Sequence, residues 1–432
     1  MKILMFGWEF PPHITGGLGT ASYGLVKGLL TQGADVTFVV PKAYGDEDSN
    51  IKLINASDVT LNIFDRHFKE HQKNLHYIEI NSRLVPYQTP EEYFRLLNVK
   101  ENYVENIGSS IFSERYEFSG KYGDNILEEV QRYALIATEI VNNDKFDIIH
   151  AHDWLAYEAG IAAKNISGAP LVVHMHATEF DRSGENINNV VYEIEKRGME
   201  AADLVIAVSN LTRNIVINKY GISPDKVRVI HNAVEPIYKK AFANEKKSVK
   251  EKIVTFLGRV TFQKGPDYFV EAAYKVLQKD ENVRFVMAGS GDMLNKIIKR
   301  VAQLKIANKF HFTGFLKGEE VDRMFALSDV YVMPSVSEPF GISPLEAMRS
   351  NVPVIISKQS GVSEILKHAL KVDFWDIDAM SDYIYGLLHY KGLSEMFKKY
   401  GKTEVDNLKW ENAAKILLGF YEEVVNTSMK AT

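Results

Sequence analysis

The chain has 432 residues, which is too many for one hydrophobic core and predicts two domains, or three. Its 46% hydrophobic and 25% charged residues are typical of an ordinary soluble globular protein. The net charge of −5, without any long run of lysine and arginine, argues against a nucleic-acid partner. The absence of cysteine excludes disulfides, thiol catalysis and cysteine metal sites.

The chain begins with an apolar segment, Lys2–Phe6, that is too short for a signal peptide and predicts the first β-strand. The sequence contains no run of about 18 apolar residues, so we expect no integral association with a membrane. These features favour a cytoplasmic enzyme.

Short apolar runs alternate with helical patterns in both halves of the chain, and this alternation predicts parallel sheets built from βαβ units. The strands predicted in the first half are Lys2–Phe6, Val36–Val40, Ile148–Ile149, Leu171–Val173 and Leu204–Val208. The strands predicted in the second half are Ile253–Leu257, Arg284–Ala288, Lys309–Phe312, Val330–Met333 and Pro353–Ile356.

Two helices of the first half have clear boundaries in the sequence. The first is predicted at about Ala21–Leu30, with Gly33 as its stop, and the second at about Asn125–Val141, with Asp124 as its cap. The apolar side chains of the second helix recur at helical spacing and predict one buried stripe. They are Ile126, Val130, Tyr133, Ala137 and Ile140.

Two segments do not fit the strand–helix alternation. The charged segment Glu235–Lys252 separates the two series of strands and predicts an interdomain linker. Residues 42–123 mix aromatic and charged side chains and predict an insertion with some β content at the rim of the site. The aromatic residues of this insertion include Phe64, Phe68, Tyr77, Tyr87, Tyr93, Phe94 and Tyr103.

A glycine-rich loop with Gly16, Gly17 and Gly19 follows the first strand. Glycines at a strand-to-helix junction let backbone N–H groups approach a phosphate, and the helix N-terminus adds positive potential. The pattern Gly17-x-Gly19-x-x-Ser22 also resembles a dinucleotide fingerprint, but the long segment after the strand disfavours it. A plain surface loop is the remaining alternative.

Two cations, Arg259 and Lys264, lie in the segment 258–265 that directly follows the predicted strand Ile253–Leu257. Both can reach a diphosphate, since arginine offers a bidentate fork and lysine a point charge. Two solvated surface cations are the alternative.

Two glutamates separated by seven residues, Glu338 and Glu346, follow the predicted strand Val330–Met333. We expect the first in a loop at the carboxyl end of the strand and the second in the first turn of a helix, where open α/β sheets bind ligands. One carboxylate could then lie at a reacting centre, and the other could accept hydrogen bonds from the hydroxyls of a ligand. The alternatives are a solvated loop acid for Glu338 and a capping box, with Ser343 as N-cap, for Glu346.

Two His-x-His pairs follow predicted strands: His150 with His152, and His174 with His176. A spacing of two residues places both members of a pair on the same side of a strand. With neighbouring acids, the pairs could form a zinc or non-haem iron site. The alternative, which we favour for His150 and His174, is a packed, hydrogen-bonded core histidine.

In their order along the chain, these segments resemble the retaining glycosyltransferases of family 4, most of all the glycogen and starch synthase-like members. The resemblance covers nearly the whole chain. It rests on the glycine loop, the segments 150–154 and 174–179, the cations Arg259 and Lys264, and the pair Glu338 and Glu346. It implies the GT-B fold: α/β, two Rossmann-like doubly wound parallel-sheet domains, with the active site in the cleft between them.

The resemblance implies a nucleotide-sugar donor whose diphosphate faces the backbone of Gly16 and Gly17. Arg259 and Lys264 would hold this diphosphate and stabilise the departing nucleotide, with no metal and no other cofactor. It also implies that Glu346 bonds the ribose and that Glu338 contacts the transferred sugar. The backbone amides implied to point at the phosphates are those of Gly341, Ile342 and Ser343.

On the N-terminal domain, the resemblance implies that Asp153 and His176 contact the sugar and shape the acceptor site, with the insertion 42–123 on the acceptor side. It implies an acceptor-side domain at 1–238 and a nucleotide-sugar-binding domain at 239–409. A C-terminal helix at 410–432 would cross back to the first domain.

We therefore expect transfer of glucose from UDP- or ADP-glucose to an α-glucan. Ile14 stands where ADP-glucose enzymes usually carry lysine, so the base of the donor nucleotide stays open. Phe340 stands where some bacterial glycogen synthases have cysteine, and this difference alone does not decide the substrate. The alternatives are a small-sugar acceptor, as in sucrose synthases, a lipid or cell-wall acceptor, and a non-catalytic nucleotide-sugar-binding protein. The oligomeric state stays open.

Overall fold

The computed structural model describes residues 1–14, 16–61, 115–123, 125–235, 247 and 249–431. Contacts divide the chain into two compact units, Met1–Ile230 with Trp410–Thr432, and His231–Lys409. Most of the predicted linker and the aromatic residues named for the insertion lie outside the described residues. The domain boundaries at 238/239 and 409/410 stay a prediction.

The first unit is built on a parallel sheet of seven strands in the order β3-β2-β1-β4-β5-β6-β7. The strands are β1 (Lys2–Phe6), β2 (Asp35–Val40), β3 (Lys52–Asn55), β4 (Ile148–His152), β5 (Leu171–Met175), β6 (Leu204–Ala207) and β7 (Val227–Val229). The helices are α1 (Gly17–Thr31), α2 (Ile126–Asn143), α3 (Trp154–Ser167), α4 (Glu179–Ser183), α5 (Asn189–Ala201), α6 (Asn210–Tyr220) and α13 (Trp410–Ala431). Every residue of the central strands β4 and β5 is buried, as expected for a parallel sheet that is covered on both faces.

The second unit has a parallel sheet of six strands in the order β10-β9-β8-β11-β12-β13. The strands are β8 (Lys252–Leu257), β9 (Val283–Ala288), β10 (Phe310–Gly314), β11 (Val330–Met333), β12 (Val354–Ser357) and β13 (Leu370–Val372). The helices are α7 (Pro266–Leu277), α8 (Leu294–Gln303), α9 (Glu319–Leu327), α10 (Ser343–Arg349), α11 (Ile377–His389) and α12 (Lys391–Val405).

These two sheets confirm the predicted fold class of two Rossmann-like parallel-sheet domains. In each sheet the first strand lies in the interior, and the strand order reverses beside it, between β1 and β4 and between β8 and β11. All ten predicted strands are present, with ends shifted by a few residues. Prediction missed β3, β7 and β13, which end their sheets, have only three or four residues and lack a continuous buried run.

The predicted start of the first helix was wrong, because α1 begins at Gly17 within the glycine loop rather than at Ala21. Its internal glycines have a packing role against α13. A Cβ at Gly24 would lie 2.2 Å from Trp410 Cε2, and one at Gly28 would lie 2.6 Å from the Trp410 carbonyl oxygen. The glycines therefore let the two helices approach closely at the cost of intrinsic helix stability.

The second predicted helix is α2, and the five apolar side chains of its predicted stripe are buried. Its predicted cap, Asp124, lies outside the described residues, and Asn125 occupies the N-cap position. Across the described ranges, no helix has both the length and the apolar character that crossing a bilayer requires.

Candidate active site

The carboxyl ends of β8 and β11 meet at the point where the second sheet reverses its strand order, the place where open α/β sheets bind ligands. Here Lys264 Nζ lies 2.5 Å from Glu338 Oε2, so an ion pair joins the loop after β8 to the loop after β11. Ser335 Oγ donates to the same carboxylate oxygen at 3.2 Å. Glu338 is only 6% exposed, and the solvated loop acid considered as its alternative is therefore wrong.

Gln263 ties the same two loops together, and sequence reasoning missed it. Its backbone carbonyl accepts a hydrogen bond from the Val336 amide at 2.9 Å, and its side-chain Oε1 accepts one from Arg259 Nη2, also at 2.9 Å. Gln263 is buried. It therefore fixes Arg259 relative to the loop that carries Glu338. The only sequence signal was its position between the two cations of the motif.

Gly341 allows the chain to turn closely over Glu338. Its φ of 100° lies in the region that favours glycine, and a Cβ there would lie 3.1 Å from Glu338 Cγ and 3.2 Å from Met333 Cε. A larger residue would strain the backbone and press on the carboxylate stem. The glycine thus contributes directly to the position of the ion pair.

The capping box considered as the alternative for Glu346 is wrong. Helix α10 begins at Ser343 itself, Ile342 is the N-cap, and within the described part of the chain no side chain caps the helix. The Ser343 hydroxyl lies 2.8 Å from the hydroxyl of Tyr331 on β11, which anchors the helix start to the sheet. Burial raises the pKa of the Glu346 carboxyl, and Arg349 partly offsets this rise.

In the glycine loop of the first unit, Gly19 is packed and hydrogen-bonded, whereas Gly16 and Gly17 are not closely packed by the described residues. The Gly19 amide donates to Glu9 Oε1 at 3.2 Å, and a Cβ at Gly19 would lie 2.3 Å from Ile14 Cγ2. A Cβ built on Gly16 or Gly17 would meet no atom of the described residues within 4 Å. The backbone at these two positions therefore faces space that a ligand could occupy.

Asp153 and His176 come together at the carboxyl ends of β4 and β5. Asp153 Oδ1 accepts hydrogen bonds from the amide of His176 at 3.1 Å and from the amide of Ala177 at 3.4 Å. Asp153 has a φ of 62°, an unfavourable value for a residue with a side chain, and it is buried. Such strain, about 1–3 kcal/mol, persists where the surrounding structure enforces it and clusters at functional sites.

A buried arginine, Arg182, holds the same segment from the other side. Arg182 Nη1 donates to the Ala177 carbonyl at 2.8 Å, so the backbone of Ala177 is held at its N–H by Asp153 and at its C=O by Arg182. Arg182 also pairs with Glu179 at 3.1 Å and with Glu195 of α5. The sequence analysis did not single out Arg182 or Glu195. The two residues are 13 positions apart in the chain, and neither belongs to a recognisable motif.

Burial controls the protonation of this segment. It raises the pKa of Asp153 to about 6 and that of Glu195 to about 7, although Arg182 acts against both rises. It lowers the pKa of His176 to about 3, so the imidazole is neutral near pH 7.

The four histidines of the two His-x-His pairs form an array of stacked rings, which confirms that each pair shares one side of its strand. Ring centroids are 4.3 Å apart within each pair, and His152 Nδ1 lies 3.0 Å from His176 Nε2. His150 Nδ1 contacts the Tyr421 hydroxyl of α13, in line with the packed, hydrogen-bonded histidine predicted there. For His174 that prediction is half wrong: it is buried, but neither ring nitrogen has a hydrogen-bond partner among the described residues.

The structure thus brings the predicted site residues together in groups within each unit. Lys264, Glu338 and Gly341 form one group in the second unit, with Arg259 tied to it through Gln263. Ser343 and Glu346 belong to α10, which follows that loop. In the first unit, Asp153 and His176 are in direct contact. Gly16 and Gly17 form the N-terminus of α1, the helix that follows β1 along the chain.

Residues 116–237 match the family model "Glycosyltransferase Family 4", and residues 238–404 match "Glycosyl transferases group 1". An uncharacterized glycosyltransferase of Methanocaldococcus jannaschii is 28% identical to this chain over 98% of both proteins. The glycogen synthase of Mycobacterium tuberculosis is more distant, at 23% identity over 84% of this chain and 80% of its own length.

A solved structure has the same fold. Anabaena HepE, in complex with UDP and glucose, superposes with a TM-score of 0.67 at 15% identity, over 98% of this chain and 100% of its own. The two family matches together cover residues 116–404. They identify the chain as a glycosyltransferase of the GT-B fold, with a family 4-type part followed by a group 1 domain.

Proposed function

We propose that this protein is a retaining hexosyltransferase that moves glucose from UDP- or ADP-glucose to an α-glucan, as a glycogen synthase does. The observation that carries the proposal is the ion pair of Lys264 and Glu338 at the reversal point of the second sheet. A half-buried cation beside a buried carboxylate at a ligand-binding edge suits a substrate that has both an anionic leaving group and a neutral sugar.

The cations Arg259 and Lys264 are assigned to the donor diphosphate. The bond from the glucosyl carbon C1 to the diphosphate oxygen breaks, and its electron pair leaves with the nucleotide diphosphate. Fixed cations stabilise the charge that develops there, and this can account for transfer without a metal ion at the diphosphate. Because the Gln263 side chain accepts a hydrogen bond from Arg259, the Arg259 guanidinium is already in position before the reaction begins.

The two glutamates are assigned to different parts of the donor. Glu338 contacts the transferred glucose, and Glu346 bonds the hydroxyls of the ribose. The raised pKa of Glu346 fits a carboxyl that is partly withdrawn from water, where a hydrogen bond to a hydroxyl is stronger than in bulk solvent. The backbone amides assigned to the phosphates are those of Gly16, Gly17, Gly341, Ile342 and Ser343.

Asp153 and His176 are assigned to the acceptor side, within a domain that we place at 1–238. The acceptor hydroxyl forms the new bond to C1 on the face from which the nucleotide departs, and its proton is released. The neutral imidazole of His176 can donate or accept a hydrogen bond there, and Asp153 fixes the backbone that carries it.

The choice of donor and acceptor rests on the comparisons. The UDP and glucose held by HepE favour UDP-glucose, and Ile14 at the usual lysine position of ADP-glucose enzymes points the same way. The glycogen synthase relative favours an α-glucan acceptor. A small-sugar, lipid or cell-wall acceptor keeps the same donor chemistry and is the second candidate.

The direct test is transfer of radiolabelled glucose from UDP-glucose and from ADP-glucose to glycogen, in buffer with EDTA. We expect transfer from at least one donor and a loss of about 100-fold or more in kcat for Lys264→Ala. Lys279→Ala is the matched control, because Lys279 pairs with Asp382 on the surface, and it should retain full activity. Absence of transfer from both donors would refute the glucan assignment.

The same variants separate an enzyme from a binding protein. Arg259→Ala should lower the rate of nucleotide release from the donor far more than it lowers donor affinity. A protein that binds UDP-glucose but releases no UDP with any acceptor would instead support a non-catalytic role.

A further inference from the structure

The rings of the histidine array lie nearly parallel to one another. Within the pairs, the interplanar angles are 12° for His150 and His152 and 22° for His174 and His176. The His174 ring is inclined by only 17° to His150 and 25° to His152. A ring nitrogen bonds in the plane of its ring, so the lone pairs of such rings do not converge on one ion. The array therefore does not fit the zinc or iron site considered from the sequence.

Across the two strands, His152 and His176 meet edge to edge. His152 Nδ1 lies 3.0 Å from His176 Nε2, and the ring centroids are 5.3 Å apart, so the line between the nitrogens accounts for most of the separation of the rings. This is the geometry of an N–H···N hydrogen bond, in which one ring donates and the other accepts. The ring that supplies the proton of this bond decides the tautomer of both histidines.

Both partners of this hydrogen bond are held in place. His152 is the last residue of β4 and is fully buried. Its ring stacks on His150 at 4.3 Å and lies 6.0 Å from the ring of Phe38. The backbone of His176 is fixed as well, because its amide donates to Asp153. The bond is therefore part of the built structure of the site.

The proton could in principle come from His176. Both rings are neutral near pH 7, because burial lowers the pKa of each, so each ring has one N–H. If His176 donated from Nε2, His152 would accept at Nδ1 and would carry its own proton on Nε2. That nitrogen is buried and has no hydrogen-bond partner among the described residues. A buried N–H without an acceptor is rare and costs about 1–3 kcal/mol, so this arrangement is disfavoured.

The opposite arrangement avoids that cost. His152 then donates from Nδ1, and only the lone pair of its Nε2 stays without a partner, a less costly loss than that of a buried N–H. His176 accepts at Nε2 and carries its own proton on Nδ1. His176 is half-buried rather than fully buried, and Nδ1 is the ring nitrogen that remains for a ligand.

We propose that His152 is a positioning residue that holds His176 in the Nδ1–H tautomer, so that His176 donates a hydrogen bond to an oxygen of the bound sugar. In this tautomer the nitrogen on the ligand side has no lone pair to offer. His176 therefore does not take the proton of the acceptor hydroxyl. The contact with the sugar rests on the proposed transfer reaction, whereas the tautomer itself is independent of it.

The first test is NMR of full-length protein labelled with nitrogen-15 in its histidines. The signals of His176 are identified by their loss in His176→Asn, and its two nitrogens are distinguished by their couplings to the ring protons. We expect the shift of a protonated nitrogen for Nδ1 and that of an unprotonated nitrogen for Nε2. A proton on Nε2 would overturn the proposal. This measurement needs only the wild-type protein, so it stays decisive if a variant of His152 fails to fold.

Variants of His152 test its role in setting the tautomer. His152→Leu removes the donor, and His176 should then shift toward Nε2–H, the tautomer that an isolated histidine favours. His152→Asn keeps an N–H near the position of Nδ1 and should preserve the Nδ1–H tautomer. The matched control is His174→Leu, because His174 stacks on His176 but neither of its nitrogens has a hydrogen-bond partner among the described residues. An unchanged tautomer in His152→Leu, or the same shift in His174→Leu, would overturn the role of His152.

Kinetics test the contact with the sugar. His152→Leu should lower kcat for glucose transfer about 10-fold, as expected for the loss of one neutral hydrogen bond, and His152→Asn should recover most of this loss. A shifted tautomer with unchanged kcat would refute donation to the sugar. Absence of transfer by the wild-type protein would refute the proposed function and the sugar contact together, while the NMR result still decides the role of His152. The two failures are therefore distinguishable.

Discussion

Replacement of Arg182 by methionine tests the buried clamp behind His176. The guanidinium is 6% exposed and contacts Glu179, Glu195 and the Ala177 carbonyl. Removing one partner of a buried ion pair leaves an unpaired charge and typically costs about 3–5 kcal/mol. We therefore expect the free energy of unfolding of Arg182→Met to fall by about that amount near pH 8.

The cost should depend on pH, because Glu195 can escape its unpaired charge by taking up a proton. The pKa of Glu195 in the folded protein, about 7, lies above its ordinary value of 4.5. The folded state therefore binds the proton more tightly than the unfolded state, and the free energy of unfolding rises as the pH falls through 7 and declines as the pH rises through 7. Between pH 8 and pH 6, wild-type protein should gain about 1.4 kcal/mol from this group.

Loss of Arg182 raises this pKa further, because the arginine opposes the rise in the native protein. If the carboxyl stays protonated over the whole interval, the variant gains about 2.7 kcal/mol between pH 8 and pH 6. The destabilisation by Arg182→Met should therefore be about 1.4 kcal/mol smaller at pH 6 than at pH 8.

Urea unfolding followed by circular dichroism at the two pH values measures these differences. The matched control is Arg197→Met, which breaks a pair with Glu158 in which the arginine is 47% exposed, and it should cost less than about 1 kcal/mol at either pH. If Arg182→Met lowers the free energy of unfolding no more than Arg197→Met does, the stabilising role of the buried Arg182 contacts is refuted. A cost that does not change with pH would refute the protonation of Glu195.

Two further predictions concern helix packing and the ion pair. Gly28→Ala should destabilise the protein by about 1–3 kcal/mol in urea unfolding, because its Cβ meets the Trp410 backbone, whereas Gly419→Ala on the exposed face of α13 should stabilise by about 0.5–1 kcal/mol. Equal effects would contradict the close approach of the helices. Glu338→Gln should lower kcat at least about 100-fold while the Kd for UDP, measured by calorimetry, changes less than about 5-fold. A parallel loss of UDP affinity would contradict the assignment of Glu338 to the transferred sugar and would show that Glu338 supports nucleotide binding.

The sequence predicted the interior strands well, because a buried parallel strand is a continuous apolar run. The edge strands β3, β7 and β13 lack that run, and their pairing depends on neighbours that are remote in sequence. The start of α1 at Gly17 was missed for a related reason. Glycine has low helix propensity, and only the packing of α13 makes glycines favourable there.

For the candidate site, sequence order located the charged residues but not the contacts among them. The ion pair of Lys264 and Glu338 joins residues that are far apart in the chain, and Gln263 and Arg182 act through backbone atoms that no motif records. The capping box failed because the Ser343 hydroxyl bonds Tyr331 on the adjacent strand. A tertiary partner thus displaced the local bond that the pattern predicted.

The central claim is retaining transfer of glucose to a glucan, and the configuration of the first-formed bond tests it most directly. Wild-type protein would be incubated with UDP-glucose or ADP-glucose and a short α-glucan, and the product followed by proton NMR. We predict a new α-glucosidic anomeric signal that grows with nucleotide release and is absent for Lys264→Ala. A β-configured product would contradict retention, and nucleotide release without any glucan product would contradict the proposed acceptor.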